Sequence, residues 1–418
     1  MNNPREMAAN TVYRCTKEGA YSNLVISVIL AQKELGEKDR GLYAALVYTT
    51  LERLLTIDYI ISLNSNREMY RIDETVKNNL RIGVCQLFYM DKIPESAIVD
   101  EAVKLTPEDA KPFVNAVLRN ICRNKQSLAE KAESSGDSIK YSISPDILTL
   151  IDTQYHDQYD EILQATRRRL PLVLRVNTLR ITYNGLKRRM KGSRVSDIVP
   201  DTGLIITENI AQTASDRSNF YYIQGEPSQY AVKLLDPQPY DIVVDIAACP
   251  GGKTMGAAIQ MNNKGRIIAL DLHDNKIQLI EKTARRLGVK IVETCVHDGR
   301  TTKNNLIGIA DRVICDVPCS ALGVINAKPE VRYKKAVNIS RLPLVQYNLL
   351  ENASKYLKPG GTIVYSTCTI NKDENEGVID RYMREHDDLY ITEKRTFMTY
   401  TDNTEGFFVC RMEKKFDI

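Results

Sequence analysis

The feature that most constrains the fold is an alternation of short apolar runs with longer helical patterns, which starts near residue 228. The runs are rich in Val and Ile, and the predicted strands are Ile242–Ile246, Arg266–Leu270, Ile291–Val296, Arg312–Asp316 and Thr362–Ser366. Helical patterns such as Asn275–Leu287 and Leu342–Leu357 separate them. This alternation predicts an α/β domain with a mostly parallel, doubly wound sheet. Phe407–Met412 is a further predicted strand and a candidate for an antiparallel edge.

The first part of the chain, to about residue 130, has a different pattern. Apolar residues recur three and four positions apart, which predicts an all-helical domain. The predicted helix starts are Ser22, Asp39, Asp73, Ser96 and Pro107. Polar, Ser-rich residues 126–143 are expected to be a linker. We therefore predict a helical domain at 1–130, a linker with a small basic α/β subdomain at 131–225, and the sheet domain at 226–418.

Composition excludes several classes of protein. No stretch approaches the roughly 18 consecutive apolar residues of a membrane span, and the start lacks the apolar core of a secretory signal. A cytoplasmic location is the resulting expectation. The nine cysteines include no CxxC pair and there are only four histidines, so no metal site is expected.

A basic stretch lies between Glu161 and Asp197, where the chain has no acidic residue. A solvated face is one interpretation, but the complete absence of carboxylates favours contact with a polyanion such as RNA. The predicted RNA-binding residues are Arg167, Arg168, Arg169, Arg175, Lys187, Arg188 and Arg189.

The first strand of the alternating region runs into the Gly-rich segment Asp245–Thr254. A phosphate-binding P-loop is a weak interpretation, because Ala247 replaces the leading Gly and Pro250 lacks an N–H. The dinucleotide fingerprint is absent, which leaves a smaller nucleoside ligand. Asp271 follows the second strand and Asp298 the third, so they are candidates for the ribose and the adenine amino group. Each could instead cap a helix.

Two cysteines follow two of the predicted strands. Cys319 comes just after Asp316, and Cys368 follows the strand at 362–366. Because ligands bind at the carboxyl ends of parallel strands, we expect the thiols and the carboxylate to meet in one cleft. A single such cysteine is usually a buried strand-end residue. Two of them beside a cofactor loop suggest covalent catalysis on an electron-poor ring such as cytosine.

Together these motifs resemble the bacterial RNA cytosine-5 methyltransferases that use S-adenosylmethionine. The segments that carry the resemblance are Ala247–Lys253, Asp271, Asp298–Arg300, Asp316–Ser320, Ser366–Cys368, Glu374–Glu376 and Gly406–Phe408. The helical part resembles the NusB-like RNA-binding domain that is fused to such enzymes in the 16S ribosomal RNA branch. It does so at Gly19–Asn23, Asp39–Arg40, Leu46–Tyr48 and Val114–Arg119.

The resemblance implies a Rossmann-like methyltransferase domain and a role for each motif. Cys368 would attack C6 of cytosine, Cys319 would release the product, Asp316 would bind N3, and Lys253 would supply positive charge. The residues implied to hold S-adenosylmethionine are Ala247, Ala248, Cys249, Pro250, Gly251, Gly252, Lys253, Asp271, Asp298 and Asp316. The target of the best-known relative of this architecture is cytosine 967 of 16S rRNA.

The chain also departs from the family pattern. Gly225 stands where Asp is common, Tyr333 stands where Trp is usual, and Ala247 and Cys249 exchange the usual Cys and Ala. The same chemistry on 23S rRNA or tRNA stays open as an alternative. DNA cytosine methyltransferases attack with the Pro-Cys cysteine and need no Thr-Cys partner. A non-catalytic RNA-binding assembly factor would have no need of two thiols.

Overall fold

The computed structural model describes residues 3–416 apart from 33, 209, 211, 212, 214, 215 and 217. The chain forms two compact units. Unit 1 comprises Met1–Arg167 together with the returning segment Ile325–Ala336, and unit 2 comprises Arg168–Val324 and Val337–Ile418. No helix among the described residues is long and apolar enough to span a membrane.

Among its described residues, unit 1 contains helices and no β-strand, as predicted for its first part. Its helices are α1 (Pro4–Lys17), α2 (Ser22–Ala31), α3 (Glu37–Glu52), α4 (Leu54–Asn64), α5 (Glu74–Tyr89), α6 (Glu95–Lys104), α7 (Lys111–Arg123), α8 (Lys125–Glu133), α9 (Asp137–Tyr141), α10 (Pro145–Tyr155) and α11 (Tyr159–Ala165). The helices bury an apolar core that includes Leu46, Leu80, Val84 and Leu118. The spacing of these residues is what predicted the bundle.

Local details of unit 1 differ from the sequence expectations. Asp73 caps α5 as expected, accepting hydrogen bonds from two backbone N–H groups of the first turn. Ser22 does not cap α2, because the helix begins at Ser22 itself. Residues 126–143, expected to be a linker, contain α8 and α9, since Leu128 and Ala132 lie four positions apart and are both buried. The three-domain division itself stays a prediction.

Unit 2 begins with a small antiparallel sheet in the order β2-β3-β1-β4. Its elements are β1 (Leu172–Val176), α12 (Tyr183–Arg189), β2 (Ser193–Val195), β3 (Gly203–Ile206) and β4 (Tyr221–Ile223). This sheet and its helix correspond to the predicted α/β connecting subdomain.

The second sheet of unit 2 has seven strands in the order β10-β11-β9-β8-β5-β6-β7. The elements are α13 (Glu226–Leu235), β5 (Ile242–Asp245), α14 (Gly252–Gln260), β6 (Arg266–Asp271), α15 (Asp274–Leu287), β7 (Val292–Val296), β8 (Ala310–Asp316), α16 (Ala336–Ile339), α17 (Leu342–Lys355), β9 (Leu357–Thr367), α18 (Glu376–Glu385), β10 (Leu389–Phe397), α19 (Thr399–Asp402) and β11 (Phe407–Lys414). Strands β5 to β9 are parallel, whereas β10 and β11 are antiparallel.

Both faces of this sheet are covered, which confirms the doubly wound, Rossmann-like fold. Successive residues of β5 point to opposite sides, so Val243 joins one apolar cluster and Val244 the other. Because β5 to β9 run in one direction, their carboxyl ends share one edge of the sheet, where ligands bind in folds of this kind. The strand at 407 is not the edge strand, since β10 lies outside it.

Candidate active site

The two predicted cysteines meet at the shared edge of β8 and β9. These strands are parallel neighbours with Asp316 opposite Ser366, so the loops that follow them lie side by side. The Sγ atoms of Cys319 and Cys368 are 3.1 Å apart. The pKa of Cys319 is raised well above its ordinary value, because its thiol shares a hydrogen bond with Cys368 and is shielded from water. Either thiol can donate in this contact, so one of the two cysteines can carry a negative charge while the other keeps its proton.

A buried carboxylate ties the two cysteine loops together. Glu374 is fully buried and accepts hydrogen bonds from the Ser320 backbone N–H, the Gln346 amide and the Asn371 amide, each at 2.8 Å. The hydroxyls of Ser320 and Thr369 also contact each other at 2.7 Å. These contacts fix the loop after β8 against the loop after β9, which holds the two thiols at their short separation.

An ion pair lies at the end of β8 next to the thiols. Lys253 Nζ is 2.7 Å from Asp316 Oδ2, and the Ser366 hydroxyl donates to Asp316 Oδ1 at 2.7 Å. Lys253 also contacts the Ser228 hydroxyl at 3.3 Å and lies 5.1 Å from the ring centre of Phe407. The structure thus brings Lys253 and Asp316 together, with the ammonium almost fully buried.

Asp245, at the end of β5, was not singled out from the sequence. The Thr254 hydroxyl donates to its Oδ2 at 2.7 Å, while its Oδ1 is buried without a partner. Burial raises the pKa of Asp245 to about 7, and the nearby Asp316 carboxylate adds to the effect. Its position as the last strand residue before the Gly-rich loop was the available signal. An unpaired, buried acceptor at this place is suited to a ligand that donates hydrogen bonds.

The predicted cofactor loop, residues 247–253, forms a tight turn onto α14. Gly251 has a positive φ of 95°, which glycine adopts without strain. Ala248 donates from its N–H to the Leu270 carbonyl at 2.9 Å, and Cys249 donates to Asp271 Oδ2 at 3.2 Å. Burial raises the pKa of Cys249 to about 11, so this thiol stays neutral.

Carboxylates stand at or just after the ends of three neighbouring strands, beside this loop. They are Asp245 on β5, Asp271 on β6 and Asp298 after β7. Asp271 is buried and pairs with Lys276 at 3.3 Å, and Asp298 pairs with Arg300 at 2.7 Å. An adenosyl sulfonium ligand offers ribose hydroxyls, an adenine amino group and an ammonium, all of them donors, so this set of acceptors fits it. Among the described residues, no group of three or more His, Cys, Asp or Glu side chains is placed to hold a metal ion.

The predicted RNA-binding residues differ in their exposure to solvent and in the unit to which they belong. Arg168 and Arg169 before β1, and Lys187, Arg188 and Arg189 on α12, are exposed. Arg167 belongs to unit 1, where it pairs with Glu133 at 3.4 Å.

The prediction that Arg175 binds RNA is wrong. It is only 2% exposed, and its guanidinium donates to Gln224 and to the Gly256 carbonyl, each at 3.4 Å. A side chain enclosed under α14 cannot reach a phosphate. Its inward direction on β1 follows from the burial of that whole strand, which basic charge alone did not reveal.

Comparisons with known proteins match both parts of the chain. A family model described as 16S rRNA methyltransferase RsmB/F matches residues 232–412, and the NusB family model matches residues 2–123. The probable ribosomal RNA small subunit methyltransferase B of Bacillus subtilis is 31% identical, with 98% of each chain covered. Ribosomal RNA small subunit methyltransferase B of Yersinia enterocolitica is 28% identical, with 99% of each covered.

Two solved structures share the fold. The crystal structure of PH0851 has a TM-score of 0.81 at 23% identity and covers 99% of each chain. A methyltransferase homolog protein from Pyrococcus horikoshii has a TM-score of 0.56 at 27% identity, covering 65% of this chain and 100% of its own. With a relative above 30% identity along almost its whole length, the chain belongs to the 16S rRNA methyltransferase RsmB/F family and carries a NusB-family domain ahead of the methyltransferase domain.

Proposed function

We propose that this protein transfers a methyl group from S-adenosylmethionine to C5 of a cytosine in 16S rRNA, with cytosine 967 as the target. The observation that carries the proposal is the pair of thiols 3.1 Å apart beside the Lys253–Asp316 ion pair. A methyltransferase that only positions a strong nucleophile needs no thiol, whereas cytosine C5 is a weak nucleophile that must first be activated. The names of the relatives support the choice of small-subunit RNA.

Cys368 is the nucleophile in this mechanism. A thiolate attacks far faster than a thiol, so the residue that carries the negative charge is the one that adds to the base. We assign Cys319 as the protonated partner and donor of the 3.1 Å contact, so that the hydrogen bond stabilises charge on Cys368. The sulfur bonds to C6, and the electron pair of the C5–C6 double bond moves toward C5 and the N3 side of the ring.

Asp316 and Lys253 act on the charge that builds up in the ring. Asp316 is held from both sides, by Lys253 at one oxygen and by Ser366 at the other. We assign Asp316 to bind N3 of the cytosine, with the Lys253 ammonium supplying the positive charge and the proton that the pair shares. A preorganised pair of this kind stabilises the adduct more than freely moving solvent would.

When bound, S-adenosylmethionine supplies the methyl group as a sulfonium electrophile. Asp245 and the carboxylates Asp271 and Asp298 are assigned to orient it through its donor groups. Bound there, it would offer its methyl carbon to C5 of the activated ring, with its own sulfur as the leaving group. Holding both reactants in one edge of the sheet makes this step effectively unimolecular.

Cys319 completes the reaction by releasing the product. Once the Cys368 sulfur is bonded to C6 it is a neutral thioether, so it no longer needs the proton of Cys319. Cys319 then passes that proton to solvent and, as a thiolate, accepts the proton from C5. The electrons of the C5–H bond restore the C5–C6 double bond and expel Cys368 as a thiolate.

The target base must leave its stack before Cys368 can reach C6. The exposed basic residues Arg168, Arg169, Lys187, Arg188 and Arg189 of unit 2 are assigned to phosphate contacts. Loops of structured RNA, which are read by shape and backbone, suit such contacts.

The proposal is tested with small-subunit rRNA from a strain that lacks the corresponding methyltransferase. Purified protein and labelled S-adenosylmethionine are incubated separately with this 16S rRNA, with 23S rRNA and with tRNA, and the labelled base is then mapped. We expect 5-methylcytosine at position 967 of 16S rRNA only. Label at another cytosine or in another RNA would overturn the assigned target, and the absence of transfer to any RNA would overturn the activity.

A further inference from the structure

The helix α13 begins with a residue that has no side chain to cap it. Gly225 is the N-cap residue, and no side-chain hydrogen bond caps the helix. Ser, Thr, Asp and Asn are preferred at such positions, because their oxygens accept from the free N–H groups of the first turn. The usual source of an N-cap acceptor is therefore missing at a helix whose first turn contacts Lys253 through Ser228.

The carboxyl group of Glu405 occupies the place that a side chain at position 225 would take. A β-carbon built on Gly225 would lie 1.4 Å from Glu405 Oε1 and 2.2 Å from its Cδ. The two positions are far apart in sequence, and a side chain at position 225 would have to displace the Glu405 carboxyl group. The chain thus delivers a carboxyl group to the start of α13 from the loop before β11.

This loop is bound tightly to the loops that carry the two thiols. The Gly406 N–H donates to the Gly323 carbonyl at 2.8 Å, and the Gly323 N–H donates to the Cys368 carbonyl at 3.1 Å. A β-carbon on Gly323 would lie 1.8 Å from the Gly406 carbonyl oxygen, so the two backbones are in direct contact. The position of Glu405 is therefore coupled through the backbone to the position of Cys368.

The charges around Glu405 connect it to the ion pair. Lys253 attracts its carboxylate and Glu226 repels it, and the Thr404 hydroxyl donates to Glu405 Oε2 at 3.1 Å. Burial raises the pKa of Glu405. Glu226 is engaged elsewhere, because the Ser196 hydroxyl donates to it at 2.5 Å. A carboxyl group at a helix N-terminus is also stabilised by the helix dipole.

We propose that Glu405 is a positioning residue of the active site, whose carboxyl group replaces the missing N-cap side chain of α13 and holds the first turn. That turn presents Ser228 to Lys253, and Lys253 in turn holds Asp316. The inference rests on the proposed function, because it gives Glu405 a task only if Lys253 and Asp316 act in the reaction. Its distinctive feature is that the position of the carboxyl group matters and not the residue that supplies it.

A reciprocal exchange of the carboxyl group tests the proposal. The variants are Glu405→Ala, Gly225→Asp, and Gly225→Asp combined with Glu405→Gly, with Asp387→Ala as a control on an exposed carboxyl between α18 and β10. The rate constant kcat is measured at saturating RNA and S-adenosylmethionine, well below each variant's melting temperature. We expect Glu405→Ala to lower kcat about tenfold or more, as small misplacements of catalytic groups do. Gly225→Asp alone places two side chains in one space and is expected to lower both kcat and melting temperature.

The double variant tests whether the position of the carboxyl group matters more than the residue that supplies it. We expect it to recover kcat to within about threefold of the parent, because an Asp at an N-cap supplies the same acceptor locally. A kcat for Glu405→Ala equal to that of the control would overturn the proposal. So would a double variant that melts like the parent and stays as slow as Glu405→Ala. If the unsubstituted parent transfers no methyl group to any RNA, the failure lies with the proposed function.

Discussion

Strand β8 carries an ion pair at each of its ends, and only one of them lies beside the thiols. Lys253 pairs with Asp316 at the carboxyl end, and Lys358 pairs with Asp311 near the start of the strand, at 2.7 and 2.8 Å. The two pairs have similar lengths but different surroundings. Lys253 is almost fully buried, whereas the Lys358 side chain is 41% exposed. Their comparison separates the effect of charge at the site from the effect of an ion pair as such.

Replacing Lys253 with Met is expected to lower kcat by about 10² to 10³, the usual cost of removing one preorganised stabilising group. The matched control is Lys358→Met, which should change kcat by no more than about twofold, because exposed pairs contribute at most about 1 kcal/mol to stability. Steady-state methyl transfer with both variants measures the difference. Equal losses in the two variants would contradict the role given to Lys253.

Single site residues could be predicted from the sequence where a chemically reactive or charged residue stands in a recognisable motif. Cys319, Cys368, Asp316 and Lys253 were nominated in this way, and the structure brings them together in two pairs at one sheet edge. The place of Glu405 was not predictable, because its contact with Gly225 joins two positions far apart in the chain. Contacts of this kind depend on the full packing of the fold.

The carboxylates assigned to the cofactor are positioned by the ends of β-strands. Asp271 is the last residue of β6, is buried, and accepts from the Cys249 N–H of the loop. Asp274, three residues later, is exposed at the start of α15. The same short segment therefore holds one carboxylate assigned to the cofactor and one that is a suitable control.

Asp271→Ala is expected to raise the Kd for S-adenosylmethionine by about 10- to 100-fold, since a hydrogen bond to a charged group contributes about 1.5–3 kcal/mol. Asp274→Ala should leave the Kd within about twofold of the parent. Isothermal titration calorimetry with each variant measures both values. An unchanged Kd for Asp271→Ala would remove this residue from the binding site.

Elements were predicted correctly where most of their residues are apolar, and they were missed where most of their residues are polar and exposed. Four of the five parallel strands were predicted to within two residues of their observed bounds, whereas β9 begins at Leu357, five residues before its predicted start. Strands β5, β6 and β8 are largely buried and give nearly unbroken apolar runs, whereas β7 is partly exposed. Strand β10 was missed, since most of its residues are exposed and its sequence is polar. Helix α8 was missed for a related reason, because few of its residues are apolar. Strand order was beyond prediction, as it depends on pairing between distant segments.

At the scale of the whole molecule, the chain leaves the sheet unit after β8 and returns to unit 1 before continuing. The returning segment Ile325–Ala336 is anchored there by three side chains. Glu330 accepts from the Ser22 hydroxyl at 2.7 Å, and the buried Arg332 donates to the Tyr141 and Thr166 carbonyls. The hydroxyl of Tyr333 donates to the Leu51 carbonyl at 2.5 Å and accepts from the Leu54 N–H at 3.1 Å. Tyr333 is thus a packing residue of unit 1.

Tyr333→Phe is expected to lower the free energy of unfolding of unit 1 by about 1–3 kcal/mol, because it leaves buried backbone groups without their partner. Urea denaturation followed by circular dichroism measures the change. Tyr70→Phe is the control, since Tyr70 is 74% exposed and its loss of a hydroxyl should cost less than about 0.5 kcal/mol. The anchoring role would be refuted by equal stabilities of the two variants.

The division of labour between the two thiols is tested most directly by the covalent adduct. Cys319→Ala and Cys368→Ala are each incubated with S-adenosylmethionine and 16S rRNA, and protein–RNA adducts are resolved on a denaturing gel while methyl transfer is counted. We predict that Cys319→Ala accumulates a stable adduct, because it attacks and cannot release. Cys368→Ala should give neither adduct nor product. Full turnover by Cys368→Ala, or an adduct formed by that variant, would contradict the mechanism.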